Sequence, residues 1–276
     1  MDENIQYLPN HSIDDLIELA LVQMDLEEIP CDSDALSILR AYCDPIEVFS
    51  TVQRLRTSEH PKERMLFAFI LAQLDAPQLS FLEQSLAALF EMVQHETHSD
   101  VLHAVCIALG HLKDPRAIEP LVRLKNHPHE AVRYGVAFSL SGFEDLAAAN
   151  ALIELSRDTD YMVRDWATFG LSVLTNLDTP EIREALLARV TDEDYVVRGQ
   201  SLVGLAERKD RRVIEAVQAE LSGEFHGDWA VEAAELLADP SLYPPLQSLW
   251  DRLGPKDKSA FESSFREALV ACAPRY

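Results

Sequence analysis

A chain of 276 residues that is 47% hydrophobic and 26% charged can bury a core and does not have the composition of a disordered chain. Its net charge of −23 argues against nucleic acid, whose phosphates demand Lys and Arg, and suits a basic partner. No apolar run approaches the roughly 18 residues that cross a membrane. The start, Met1-Asp2-Glu3-Asn4, has neither the basic nor the apolar region of a secretory signal. The expectation is a cytoplasmic protein. Its four cysteines (31, 43, 106, 272) lack metal spacing and read as small buried hydrophobes in a reducing compartment.

The first segment, residues 1–34, reads as an acidic cap. Ser12-Ile13-Asp14-Asp15 has the form of a capping box, leading an amphipathic helix to about Ile29 that Pro30 stops. Residues 1–39 hold ten acids and no Lys or Arg.

From 35 to 256 two phrases alternate. One is an Asp just before a new helix, often followed by Pro: Asp44, Asp75, Asp114, Asp145, Asp178, Asp210 and Asp239, at intervals of 29 to 39 residues. The other is Asp160-Tyr161-Met162-Val163-Arg164, echoed by Asp194-Tyr195-Val196-Val197-Arg198 and by His129-Glu130-Ala131-Val132-Arg133. Each Arg is followed seven residues on by Leu140, Leu171 or Leu205. A period of this size is the mark of a repeat array.

Each repeat reads as a helical hairpin. After Asp145, an apolar stripe of Leu146, Ala149, Leu152, Ile153 and Leu155 makes a first helix. After the turn at Arg157–Asp160, a second helix runs to about Leu174, with Val163, Ala167, Leu171 and Leu174 as its core side. Pro115, Pro180 and Pro240 sit where a first helical turn has no N–H to lose. Residues 257–276 close the array with a helix from Lys256 to about Cys272 carrying Phe261, Phe265, Leu269 and Val270. A hairpin alone leaves an apolar face exposed, so the hairpins must stack. The fold expected is all-α: one domain over 1–276, a right-handed α-solenoid of about seven hairpins.

The alternation of Asp-x-x-Val-Arg…Ala…Leu helices with Asp-Pro-capped helices resembles bacterial HEAT-like repeats of the phycobilisome-lyase type. The resemblance covers about residues 40–253 and is strongest at 114–221. It implies that second helices line a concave face, and that the recurrent Arg and Asp form a ladder between neighbouring hairpins. That role falls on Arg64, Arg133, Arg164 and Arg198 with Asp160 and Asp194, and Leu102 and Ala230 interrupt it. The stretch from Val163-Arg164-Asp165-Trp166-Ala167 through Glu207-Arg208-Lys209-Asp210-Arg211-Arg212-Val213 is also similar to YibA-type HEAT proteins. These are encoded beside Rhs-type contact-delivered toxins, which implies an immunity role.

Motifs for chemistry are missing: there is no nucleophile elbow, P-loop, dinucleotide fingerprint or zinc signature. Deoxyhypusine hydroxylase, a HEAT-like enzyme, binds iron through His-Glu pairs in symmetric register. Here only His95-Glu96 and His129-Glu130 occur, and they read as polar loop residues. His95, His98 and His103 read as scattered histidines rather than a metal cluster. No catalytic residue, metal or cofactor is expected, and the protein reads as a non-enzyme.

Function is therefore sought on the second helices, at positions that turn away from the core. These hold Tyr134, Phe138, Asp165, Trp166, Phe169, Gln200, Val203, Glu207, Glu232 and Glu235, with Tyr161 and Tyr195 at helix starts and Trp229 opening the next hairpin. Aromatic anchors ringed by carboxylates suit a basic protein partner. The expected function is non-catalytic binding by a monomer: an immunity protein or inhibitor that neutralises a basic toxin, such as a nuclease. The rivals are a lyase-like chaperone or enzyme acting on a cofactor-bearing protein, and a general assembly scaffold.

Overall fold

The computed structural model describes residues 12–24, 34–74, 81–225 and 227–274, and the described residues contain helices and no strands. Asp75 and Cys31 lie outside them. The chain divides into two compact units, residues 1–139 and 140–276.

The N-terminal unit opens with α1 (Ile13–Gln23), started by the expected capping box: Asp15 N–H donates to Ser12 Oγ at 3.1 Å and Ser12 N–H to Asp15 at 2.9 Å. The described helix runs to Gln23 with Met24 as its C-cap, and the expected stretch to Ile29 falls in residues 25–33, outside the described residues. There follow α2 (Asp34–Tyr42), α3 (Pro45–Val52), α4 (Pro61–Leu74), α5 (Leu82–His95), α6 (Ser99–Leu112), α7 (Ile118–Leu124) and α8 (Glu130–Leu140), whose last residue is the first of the next unit. The C-terminal unit continues with α9 (Leu146–Leu155), α10 (Tyr161–Ser172), α11 (Pro180–Leu187), α12 (Tyr195–Glu207), α13 (Ile214–Ser222), α14 (Trp229–Leu237), α15 (Tyr243–Arg252) and α16 (Pro255–Ala271).

The recurrent Asp residues start these helices by accepting from free N–H groups of the first turn. Asp44 serves Ile46, Asp145 serves Ala147 and Ala148, Asp160 serves Val163, and Asp194 serves Val196 and Val197. Asp114, Asp210 and Asp239 cap a short 3₁₀ turn that runs directly into α7, α13 and α15. Asp178 departs from the pattern. Thr179 caps α11, and Asp178 instead pairs with Arg183 at 2.6 Å.

Neighbouring helices α3–α4, α5–α6, α9–α10, α11–α12, α13–α14 and α15–α16 pack as hairpins. Second helices lie side by side, α4 with α6 in one unit and α10, α12, α14 and α16 in the other, which is the stacking of an α-solenoid. Glycine permits the closest approach. A Cβ on Gly204 of α12 would stand 2.5 Å from Ser172 Cβ of α10, so Gly204 lets these helices meet. Val163, Ala167, Leu171, Val197 and Leu205 are fully buried, as the repeat pattern requires. Leu146 and Leu174 are exposed, against expectation. Leu146 is the first residue of its helix and Leu174 lies past the end of α10, where a helical stripe no longer aims a side chain inward. Val270 likewise turns to solvent on α16, whose inner side is Phe265, Ala268 and Cys272. Burial pushes the Cys106 thiol up to about 12 and Cys272 to about 11, so neither is a thiolate at neutral pH.

Candidate partner-binding site

The repeated Arg is a brace. Arg164 is almost fully buried and donates to the carbonyls of Asp158 and Thr159 in its own turn at 3.0 and 3.1 Å. It then reaches into the next hairpin, to Asp192 at 3.3 Å and Glu193 at 3.1 Å. Arg198 repeats this with the carbonyls of Asp192 and Glu193 and the carboxylate of Glu220. Arg64 donates to Ser58 O and makes a two-pronged pair with Glu96 at 2.7 and 3.1 Å. Arg133 donates to the carbonyls of His127 and Pro128. Asp160 and Asp194 are helix caps, not the acids these arginines meet. The acids are Glu96, Asp192, Glu193 and Glu220, which sit in the turns and first helices that the repeated phrase does not mark.

On α8, Tyr134 stacks on His103 with ring centroids 5.6 Å apart, and Phe138 meets His111 edge-on at 5.7 Å. Both aromatics are partly exposed. His103 bonds to Ala131 O at 2.8 Å, and burial lowers its pKa. Glu96 belongs to Arg64, and His129 sits at the start of α8. Among the described residues no three metal-ligating groups converge. A cavity of about 310 Å³ lies between Arg56, Arg64, Glu91 and Glu96, with its charges paired internally.

The C-terminal unit holds the other candidates. Trp166 and Phe169 of α10 form an edge-to-face pair at 5.8 Å, both partly exposed. Beside them Asp165 accepts from Gln200 Nε2 of α12 at 2.7 Å. Burial raises the Asp165 pKa against the opposing pull of that hydrogen bond, with the Asp194 charge adding to the rise. Gln200 itself is buried, as is Val203, so neither presents a side chain to a partner: α12 turns these positions against α10. Gly199 is equally committed. A Cβ there would stand 2.4 Å from the Trp229 ring, so that side chain packs directly against Gly199 of α12.

Past this packed region the surface is acidic. Glu207 ends α12, and Glu232 and Glu235 lie on α14. Burial raises the Glu232 pKa, and the charges of Asp228, Glu207 and Glu235 raise it further, so these carboxylates share one local field. Tyr161 and Tyr195 begin α10 and α12 and are about half exposed.

Asp165 gives a direct test. Its folded-state pKa is raised, so its charge opposes folding once the pH exceeds the ordinary carboxylate value. Asp165→Asn keeps an acceptor for Gln200 and removes that charge. Its thermal midpoint is expected to rise at pH 7, with the gain shrinking as the pH falls toward 4. Equal midpoints at both pH values would mean that Asp165 is not held against its own solvation.

HEAT repeats match residues 50–141 and, overlapping, 86–172. Over 87 residues the chain is 34% identical to Protein YibA of Escherichia coli K12, and to the same degree to Protein YibA of E. coli O157:H7. That stretch is 32% of this chain and only 31% of YibA. The X-ray structure of E. coli YibA superposes with a TM-score of 0.75 at 19% identity, covering 98% of this chain and all of that one, so the two share a fold. Human deoxyhypusine hydroxylase, in complex with glycerol, aligns at a TM-score of 0.36 and 16% identity over 94% of this chain, too low a score to relate the two.

Proposed function

We propose that this HEAT-repeat chain, similar to YibA, is a non-catalytic module that binds a basic protein. The observation that carries the reading is the carboxylate group of Glu207, Glu232, Glu235 and Asp228, with Asp165 beside the partly exposed pair Trp166–Phe169. Burial and the charges of Asp228, Glu207 and Glu235 raise the proton affinity of Glu232, so an arriving cation relieves the repulsion at that carboxylate. Trp166 and Phe169 supply the apolar anchor that makes such an encounter durable. The net charge of −23 speeds the approach of a basic partner.

More specifically, the partner is a basic toxin, for example a nuclease, and the chain is its immunity protein, with the acids occupying the cationic channel that otherwise holds the toxin's substrate. The likeness to YibA supports this reading. Co-expression with the product of the adjacent reading frame tests it. Rescue of growth, together with a stable complex at low salt, is the expected outcome. A neighbour that is harmless alone, and that fails to bind, would contradict the immunity assignment.

A further inference from the structure

Between α12, α13 and α14 of the C-terminal unit lies a cavity of about 20 Å³, room for one water-sized group. Its walls include the rings of Tyr195, Phe225 and Trp229 and the carboxylates of Glu220 and Glu224. The rings are held in place. Trp229 rests on Gly199, where no side chain could intervene. Phe225 packs edge-on against Phe261 at 5.1 Å and tilts against Phe265 at 6.2 Å. Tyr195 stands at the mouth, about half exposed. Glu220 is engaged by Arg198 at 3.3 Å, whereas Glu224 is exposed and has no ion-pair partner among the described residues. Arg252 stands close by, donating to Leu221 O at 2.9 Å and Gly223 O at 3.2 Å, so Glu224 is the rim carboxylate that neither arginine pairs with.

Aromatic faces present negative charge, and a carboxylate at the rim adds more, so the cavity favours a small cation. We propose that it receives one lysine ammonium of the basic partner. An ammonium matches the water-sized space more closely than the larger planar guanidinium does. The pre-set rings mean that little ordering is lost when the side chain enters. This assignment rests on reading the chain as a binder of basic proteins, and adds to it a docking point apart from the Trp166–Phe169 pair.

The test uses the full chain, labelled with ¹⁵N and titrated with N-acetyl-lysine amide while the Trp229 indole N–H is followed. Saturable movement of that signal is expected. The neutral N-acetyl-norleucine amide should bind about five- to ten-fold more weakly, the value of a cation over aromatic faces. Tyr195→Leu, which keeps apolar bulk, and Glu224→Gln should each weaken the lysine amide about five-fold while leaving the thermal midpoint unchanged. Equal binding of the norleucine amide, or tighter binding of N-acetyl-arginine amide, would overturn the assignment. A second titration with octalysine at low salt separates the two levels. Octalysine that binds both variants as tightly as the parent would overturn the lysine pocket and leave the wider reading standing. Octalysine that does not bind the parent would overturn both.

Discussion

Arg208→Ala is expected to destabilise the C-terminal unit by about 3–5 kcal/mol, because it leaves a set of buried carbonyls without donors. The Arg208 guanidinium reaches from the end of α12 to the end of α10. It donates to Leu171 O and Leu177 O at 2.9 Å each, to Thr175 O at 3.2 Å, to Ser172 O at 3.3 Å and to Gly204 O at 2.9 Å. These include the carbonyls that the last turn of a helix leaves open. The site is closed further by Arg183, which donates to Arg208 O at 2.8 Å and pairs with Asp178 and Asp210. Arg212 holds the Asp210 carboxyl down to about 2 by a direct hydrogen bond. Burial lowers the Arg208 pKa, the cost of keeping a charge there, against the opposing pull of the Asp178, Glu207 and Glu144 charges. Arg208→Lys cannot span this fork and should recover less than half of the loss. Urea unfolding followed by circular dichroism checks both variants. A loss below about 1 kcal/mol for the alanine variant would show that water replaces the guanidinium at no cost.

Arg164→Ala should be comparably severe, at about 3–5 kcal/mol, for a different reason: it strands a buried anion. Asp192 is 5% exposed and faces Arg164, itself 7% exposed, at 3.3 Å. Arg189 reaches the same carboxylate at 3.1 Å and softens the loss without cancelling it. The diagnostic is the double variant. Arg164→Ala with Asp192→Ala removes both charges and should be more stable than Arg164→Ala alone, as measured by the coupling in a double-mutant cycle. Simple additivity of the two losses would mean that the pair contributes through packing and not through charge.

These sites show where the sequence was readable. The Asp phrase announces helix starts because a cap acts on the next two or three residues, a distance the sequence displays directly. The Val, Ala and Leu spacing announces the buried side for the same reason, and that much secures the all-α repeat fold. The Arg phrase announces a brace, but its acidic partners lie 22 to 32 residues further on, in positions that vary from hairpin to hairpin. Reading the capping Asp160 and Asp194 as those partners mistook proximity in the phrase for proximity in space. Gln200 was misplaced through a register argument: one position on a helix is about 100° of rotation, and Gln200 falls on the side that faces Asp165 of α10. Gly199 carried a usable signal, since a glycine inside a repeat helix marks close approach, here of Trp229. The Arg208 cage had none, because carbonyl acceptors leave no trace in residue identity. Glu207, Glu232 and Glu235 were legible as surface acids, and their shared field emerges only when α12 and α14 lie side by side.

The binding reading stands or falls on electrostatics between this acidic surface and a cationic protein. The deciding measurement is the affinity of the parent chain and of Trp166→Ala for the product of the adjacent reading frame as salt rises from about 50 to about 500 mM. The account predicts that affinity for the parent falls steeply with salt, because exposed charges separated by about 10 Å are screened already at 0.1 M. It also predicts that Trp166→Ala weakens binding at every salt concentration, with the same salt slope and little change in thermal midpoint. Affinity that is independent of salt, or a Trp166→Ala variant that binds as the parent does, would contradict it.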